Sequence, residues 1–424
     1  MNSRRSSRAA VLAALVLLPL KFAPPSAVPL RPACAPDNGG ITLPPGFCAL
    51  IVADNLPQPR HLVVMPNGDL FVASLRAGII ALRDTTGDGR ADVITEWGGG
   101  FHSSDVAVRN GYLYADATTA ILRFPLRPGA LVAGGPVDTL VRGLPGGGHS
   151  AKTFALADDG TLYVNIGSAT NSCQAKDRAL ESAGIDPCVE RASRAGIWAF
   201  RTDRIGQSQA DGVHFASGIR NSVGITMNPR EHVLYVMQHG RDQLAANWPK
   251  LFTADKSAET PAEELFEVRA HDDFGWPYCY FDRQLGHKVL APEFGGDGKS
   301  AGRCTDYKGN VASYPGHWAP NALAFYTGTA FPARYRGGAF IAFHGSWNRA
   351  PLPQAGYSVV FQPMEKGRAA GTYEVFADGF RPDTPGPGLG THRPTGLAVG
   401  PDGSLYVADD AGGRIWRIMY VGAK

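Results

Sequence analysis

The chain has 424 residues, enough for one large all-β domain or about two to three ordinary ones. Hydrophobic residues make up 44%, which supports a substantial core, and 52 Gly with 32 Pro favour turns and short strands over long helices. A net charge of only +3, with no Lys/Arg run beyond the N-terminus, excludes a nucleic-acid-binding surface.

Residues 1–30 read as a signal peptide rather than as part of the fold. Arg4, Arg5 and Arg8 form a basic start, and Ala9 to Leu20 form an apolar run too short to span a bilayer. Ser3-Arg4-Arg5 resembles a twin-arginine signal but lacks the Phe that usually follows, so ordinary export is the favoured route to the periplasm or the medium. No other segment reads as a membrane span, and residues 31–424 are left as the folded domain. Cys34, Cys48, Cys173, Cys188, Cys279 and Cys304 follow the signal. None lies in a CxxC or CxxCH motif, which excludes zinc ribbons and covalent haem. An even count in an exported chain predicts disulfides. Pairing sequence neighbours (34–48, 173–188, 279–304) is the simplest connectivity; a mixture of bridges and free thiols is the alternative.

The body of the chain repeats one phrase. Pro66-Asn67-Gly68-Asp69-Leu70-Phe71-Val72 returns as Asp158-Asp159-Gly160-Thr161-Leu162-Tyr163-Val164 and as Pro401-Asp402-Gly403-Ser404-Leu405-Tyr406-Val407. Weaker copies centre on Leu113, Leu234 and Phe340. Each is a tight turn followed by an apolar strand, and several lead into a second alternating strand: Ile79–Leu82, Ile121–Phe124, Ile197–Phe200 and Ile415–Ile418. The early copies are spaced close to the ~40–45 residues of a four-stranded blade. Six copies predict an all-β fold, a six-bladed β-propeller with inserted loops at 165–195, 240–335 and 380–395. Its ring would close by pairing Ala49–Ala53 with the last blade. Asp84–Asp92 has acidic residues but not calcium-loop spacing, and reads as a hairpin loop. Gly386-Pro387-Gly388-Leu389-Gly390 reads as a plain loop, since it follows no strand and opens no helix.

Polar residues stand just before or after the repeated strands, where a propeller brings them to its axis. They are Gly148-His149-Ser150, Gly218-Ile219-Arg220-Asn221, Gln238-His239-Gly240-Arg241-Asp242, His344-Gly345-Ser346-Trp347-Asn348-Arg349 and His392-Arg393. A histidine there has the pKa of a general base or binds a carbonyl structurally; an arginine offers a donor fork to an anion or bridges blades. Five such segments rich in His and Arg predict a polyanionic ligand on the axis.

These motifs, with Pro261-Ala262-Glu263-Glu264-Leu265 and Phe274-Gly275-Trp276-Pro277-Tyr278-Cys279, resemble the soluble quinoprotein sugar dehydrogenases. This is the glucose/sorbosone dehydrogenase family that uses pyrroloquinoline quinone (PQQ), and the chain is nearest its sorbosone-type branch. The resemblance spans about 40–420. It implies PQQ and Ca²⁺ as cofactors, a sugar or sugar-derived aldehyde as substrate, and a separate electron acceptor, a cytochrome or a quinone. It implies that His149 is the general base and that Arg220 and Asn221 bind the cofactor, with Arg220 stabilising charge on the quinone oxygen. Arg393 would hold a cofactor carboxylate, and the Gly240 and Arg241 carbonyls the catalytic Ca²⁺. Glu263, Glu264 and the Phe274 carbonyl would form a structural calcium site. His344, Ser346 or Arg349 would replace a basic residue of the glucose-oxidising members, and Lys152, His317 and His102 are further candidates at the axis. Ser168 stands where those members carry an acid, Thr395 where they carry an Arg and His317 where they carry a Thr, which points away from glucose. Two other readings stand beside this one: a calcium-dependent propeller lactonase, which calls for a carboxylate-rich axis, and a non-catalytic binding propeller.

Overall fold

The computed structural model describes Met1 and residues 32–381 and 390–422. The predicted signal peptide apart from Met1, and all but Gly390 of the 386–390 loop, lie outside the described residues. Among these, six sheets of four principal antiparallel strands follow one another along the chain. Blade 1 comprises Pro59–Val64, Leu70–Ser74, Gly78–Arg83 and Val93–Trp97, and blade 2 comprises Val106–Arg109, Tyr112–Ala117, Ala120–Pro125 and Asp138–Val141. Blade 3 comprises Phe154–Leu156, Thr161–Ile166, Gly196–Arg201 and Val213–Ser217, with the two-residue strand Asp272–Asp273 added in parallel. Blade 4 comprises Ile225–Asn228, Val233–Gln238, Glu263–Val268 and Ala312–Tyr314, and blade 5 comprises Pro320–Phe325, Ala339–His344, Tyr357–Gln362 and Glu374–Ala377. Blade 6 is completed across the termini: Pro394–Val399, Leu405–Asp409 and Arg414–Tyr420 are joined by Phe47–Ala53, which pairs antiparallel with Arg414–Tyr420. The expected propeller and its closure are both observed.

The repeated phrase forms the second strand of every blade. Leu70, Leu113, Leu162, Leu234, Phe340 and Leu405 are all buried there. Each such side chain contributes roughly 1.5–3 kcal/mol by leaving water. The main apolar clusters are layers between neighbouring blades: Phe71 and Ile79 meet Leu113 and Phe124 across blades 1 and 2, and Phe340 and Phe361 meet Trp416 and Ile418 across blades 5 and 6. The core is therefore a ring, and the axis is left to polar groups.

Strand register decides which polar groups meet. Pro59 pairs with Ser74, Val106 with Ala115, Phe154 with Val164, Ile225 with Val236, Pro320 with Phe343 and Pro394 with Asp409. The start of each first strand thus lies beside the end of its second strand, on one rim of the ring. Each of the five His- and Arg-rich segments singled out in the sequence belongs to one of these two positions.

The three disulfides are Cys34–Cys48, Cys173–Cys188 and Cys279–Cys304, all sequence neighbours. Asp84 and Asp92 cap their own hairpin loop, accepting from Gly87 and Gly89 N and from Thr85 N. No helix among the described residues is long and apolar enough to cross a membrane.

Candidate active site

His149 precedes blade 3, and its ring orientation follows from its partners. Nδ1 lies 2.9 Å from the Ser168 carbonyl and 3.0 Å from Ser168 Oγ. The one hydroxyl proton of Ser168 is donated to the Thr170 carbonyl at 2.6 Å. Both groups facing Nδ1 are therefore acceptors, so Nδ1 carries the proton and Nε2 keeps its lone pair. Gly167 permits this close approach: a Cβ there would meet His149 Cβ at 2.6 Å and Asn221 Oδ1 at 2.8 Å. Burial, and then the nearby Arg220 cation, lower the His149 pKa to about 3. The imidazole is neutral at physiological pH.

Arg220 stands before blade 4 and is only 3% exposed. Nε donates to the Asn171 carbonyl at 3.1 Å, Nη1 to the Gly240 carbonyl at 3.0 Å, and Nη2 to Asn171 Oδ1 and Asp242 Oδ2, each at 3.0 Å. Asp242 also accepts from Arg178 at 2.9 Å and from Asn348 Nδ2 at 2.9 Å. Burial works to raise the Asp242 pKa, but Arg220 and His317 outweigh it and hold the carboxyl well below the ordinary range. Ser168 and Asn171, which orient His149 and Arg220, both lie just before Cys173, on the insertion that carries the Cys173–Cys188 bridge.

The remaining groups extend the network around the rim. Asn221 Oδ1 accepts from Asn165 at 3.4 Å, and the Asn221 carbonyl accepts from His239 N at 3.0 Å. His344 Nε2 donates to Asp410 Oδ1 at 2.7 Å, and Arg60 donates to Asp410 Oδ2 at 2.6 Å. Arg393 reaches the His344 and Gly345 carbonyls at 2.9 and 2.8 Å. Lys152 is fully buried, and its ammonium has one acceptor, the Ser150 carbonyl at 2.7 Å. Burial, and then Arg194, lower its pKa to about 8. Asp116 acts in the other direction, but among the described residues the ammonium's hydrogen-bond partner is neutral, which leaves donors for an anionic ligand such as a polycarboxylate. His317 is held by the Ser257 carbonyl at 2.7 Å and faces Asp242 at 3.7 Å.

Three expectations need correction. Arg349 is a latch, not a cofactor ligand: it donates to the Ala258, Gly316 and Pro353 carbonyls and to the Glu259 carboxylate. His102 remains exposed on the rim, its ring bonded to the Leu75 carbonyl. The structural calcium site is not assembled. Glu263 and Glu264 are successive strand residues pointing to opposite faces; Glu263 accepts from Gly240 N and Ala319 N, Glu264 from Gln238 and Asn310. The Phe274 carbonyl accepts from the Lys288 ammonium at 2.5 Å, so a side-chain cation fills that place.

At the other calcium position the oxygens are hard donors, but a side-chain cation is there too: the Gly240 carbonyl and the Asp242 carboxylate each accept from the Arg220 guanidinium at 3.0 Å. The Arg241 side chain is buried on Glu293 at 2.5 Å, leaving only its carbonyl to serve.

The sequence reading gave no role to Asp242, Asn171, Arg60, His61, Asp105 or Asp410. His61 bonds Asp105 at 2.9 Å and the Asn321 carbonyl at 2.7 Å. Burial opposes charge on that ring, yet Asp105 outweighs it and raises the pKa. A usable signal existed for Asp410: it follows the second strand of its blade, as His239 follows its own and as His344 ends its own.

Residues 41–421 match the family model described as TrAA12-like. The chain belongs to this family. Among its relatives is the pyrroloquinoline quinone-dependent pyranose dehydrogenase of Coprinopsis cinerea, 25% identical over an alignment covering 85% of this chain and 55% of that protein. The chain spans about half the length of the curated relatives it matches. The holo PQQ domain of the C. cinerea pyranose dehydrogenase superposes with a TM-score of 0.71 at 19% identity, covering 89% of this chain and 97% of that one. A Trichoderma reesei structure from carbohydrate-active enzyme family AA12 gives 0.72 at 19% identity, covering 90% and 98%. At these identities the superpositions establish the propeller fold.

Proposed function

We propose that this chain is a PQQ- and calcium-dependent sugar dehydrogenase, oxidising a sugar or sugar-derived aldehyde and passing electrons to an external acceptor. The observation that carries the reading is a neutral His149 with a bare Nε2, set beside Arg220 and the under-partnered Lys152 on one rim. The name of the C. cinerea relative supports the cofactor and the pyranose class of substrate. PQQ, when bound, supplies the two-electron acceptor, and Ca²⁺ supplies a Lewis acid. Lys152, Arg393 and Asn221 would hold PQQ, and the carbonyl lone pairs of Gly240 and Arg241 that Arg220 leaves free would hold the cation. His149 Nε2 takes the proton of the substrate hydroxyl, while its Nδ1–H stays on Ser168 and fixes the ring. Arg220, locked by Asn171 and Asp242, presents positive charge without reorganising. Three disulfides fit an exported protein in an oxidising compartment.

A lactonase would require a carboxylate-rich axis. Here Asp242 and Asp410 are already bound to Arg220 and Arg60. The deciding experiment adds PQQ and Ca²⁺ to purified apo-protein and measures dye reduction over a sugar panel. Saturable dye reduction is expected. A propeller that neither binds PQQ nor reduces dye with any sugar would overturn the proposal.

A further inference from the structure

The segment His344–Arg349 crosses the site with nearly every residue tied down. His344 is bonded to Asp410, and the Gly345 carbonyl accepts from Arg393 at 2.8 Å. Ser346 is buried, with Oγ on Gln354 at 2.7 Å and its carbonyl on the Tyr357 hydroxyl at 2.5 Å. Asn348 donates to Asp242 at 2.9 Å, and Arg349 is the latch described above.

Trp347 is the exception. It is 57% exposed and has no hydrogen bond or ring contact among the described residues. Tryptophan is ordinarily among the most buried side chains on average, and leaving an indole in water forgoes the stabilisation that burying its apolar area would bring. Such a cost, on a loop whose neighbours are otherwise fixed, calls for an occupant. Its position narrows the choice. Three residues of extended chain span about 10 Å, so Trp347 stands within that reach of both Gly345, on Arg393, and Asn348, on Asp242. A second feature lies next to it: Asn348 Oδ1 is buried without a hydrogen-bond partner among the described residues. Asn348 keeps this segment on the Asp242 network, so the exposed indole face is held beside the candidate site; a flat apolar face there matches a sugar ring, which has an apolar C–H face.

We infer that Trp347 is the stacking platform for a pyranose ring. This rests on the sugar dehydrogenase reading and goes beyond it by assigning the group that grips the substrate rather than the cofactor. An aromatic platform adds affinity through contact area at little entropic cost. It serves ground state and transition state alike, so it acts on KM.

The test uses the full chain reconstituted with PQQ and Ca²⁺. Trp347→Ala should raise the pyranose KM about tenfold, equivalent to about 1.4 kcal/mol, with kcat held within about twofold and the KM for the dye unchanged. Trp347→Phe should recover most of the loss. A pyranose KM unchanged in Trp347→Ala, or a shift confined to the dye KM, would overturn the platform and point to acceptor docking. A separate readout is quenching of tryptophan fluorescence by the pyranose in the cofactor-free protein, expected in the wild type and lost in Trp347→Ala. If the wild type reduces no dye, the dehydrogenase reading falls, and the quenching titration still decides the platform.

Discussion

His149 and His344 lie on the same rim, one before blade 3 and the other at the end of a blade 5 strand, yet they are held in opposite ways. His149 has Nδ1–H on a carbonyl and a hydroxyl that can only accept, which leaves Nε2 bare. His344 has Nε2–H on the Asp410 carboxylate, which is itself bonded to Arg60. Neutral partners fix a tautomer without adding charge. A carboxylate partner would raise basicity, but burial dominates at His344 and its pKa still falls below the ordinary value. The His149 side offers a free lone pair on a ring held by Ser168, which lies on an insertion stapled by a disulfide. The His344 side offers a charge-compensated cluster on the blades themselves. The first arrangement suits proton transfer, the second suits holding an anion.

The comparison breaks most visibly at the proton acceptor. His149→Ala should lower kcat by about 10²–10⁴-fold, the usual contribution of a general base, while PQQ titration shows binding retained. His344→Ala should instead weaken PQQ binding. The reverse pattern would exchange the two roles.

Next in size is the staple. The Cys173–Cys188 bridge has a sequence separation of 15. A closed loop of that length stabilises by about 3 kcal/mol in the chain-entropy account. Replacing both cysteines with Ser should lower stability by about that amount in urea unfolding. It should also reduce turnover, because Ser168 and Asn171 lie on the same insertion as the bridge. Loss of stability with turnover intact would mean that the blade framework alone positions His149.

Most of the fold was legible because the repeat is local: a turn followed by an alternating strand needs only a few residues to be recognised, and six copies imply a ring. His149, Arg220, Asn221 and Arg393 were legible because they precede first strands, where register sends them to one rim. Asp242 and Asp410 were not assigned, since their importance comes from partners far away in sequence, Arg220 and Arg60. The same non-locality explains the failures. Nothing near Phe274 in sequence announces that Lys288 would reach its carbonyl, and nothing near Arg349 announces Ala258 and Gly316.

The His344 side is sharpened by Asp410→Asn. The amide keeps a hydrogen-bond partner for His344 but removes the charge that Arg60 and His344 share. The expected result is about a tenfold weaker response to PQQ at equal Ca²⁺, or about 1.4 kcal/mol, read by titration of dye reduction. A change in kcat at saturating PQQ, with affinity unaltered, would move Asp410 from holding the cofactor to tuning the proton acceptor.

The last effect is one of pH, and it concerns the apo-protein. In the unfolded chain His149 has an ordinary pKa near 6.5; folded, burial and Arg220 bring it to about 3. Between these values the unfolded state binds a proton that the folded state does not. Stability from this group is therefore present above pH 6.5 and is lost as pH falls toward 3. The loss is at most about 1.4 kcal/mol per pH unit. His239, lowered to about 4 by burial first, adds a loss of the same sign. Tm should fall as pH is taken from 6.5 to 4. His149→Gln keeps an N–H donor toward Ser168 but has no proton to gain, so its profile should be flatter over that window. A variant with the wild-type slope would mean that His149 is already charged in the fold, and the bare Nε2 on which the contrast with His344 depends would not exist.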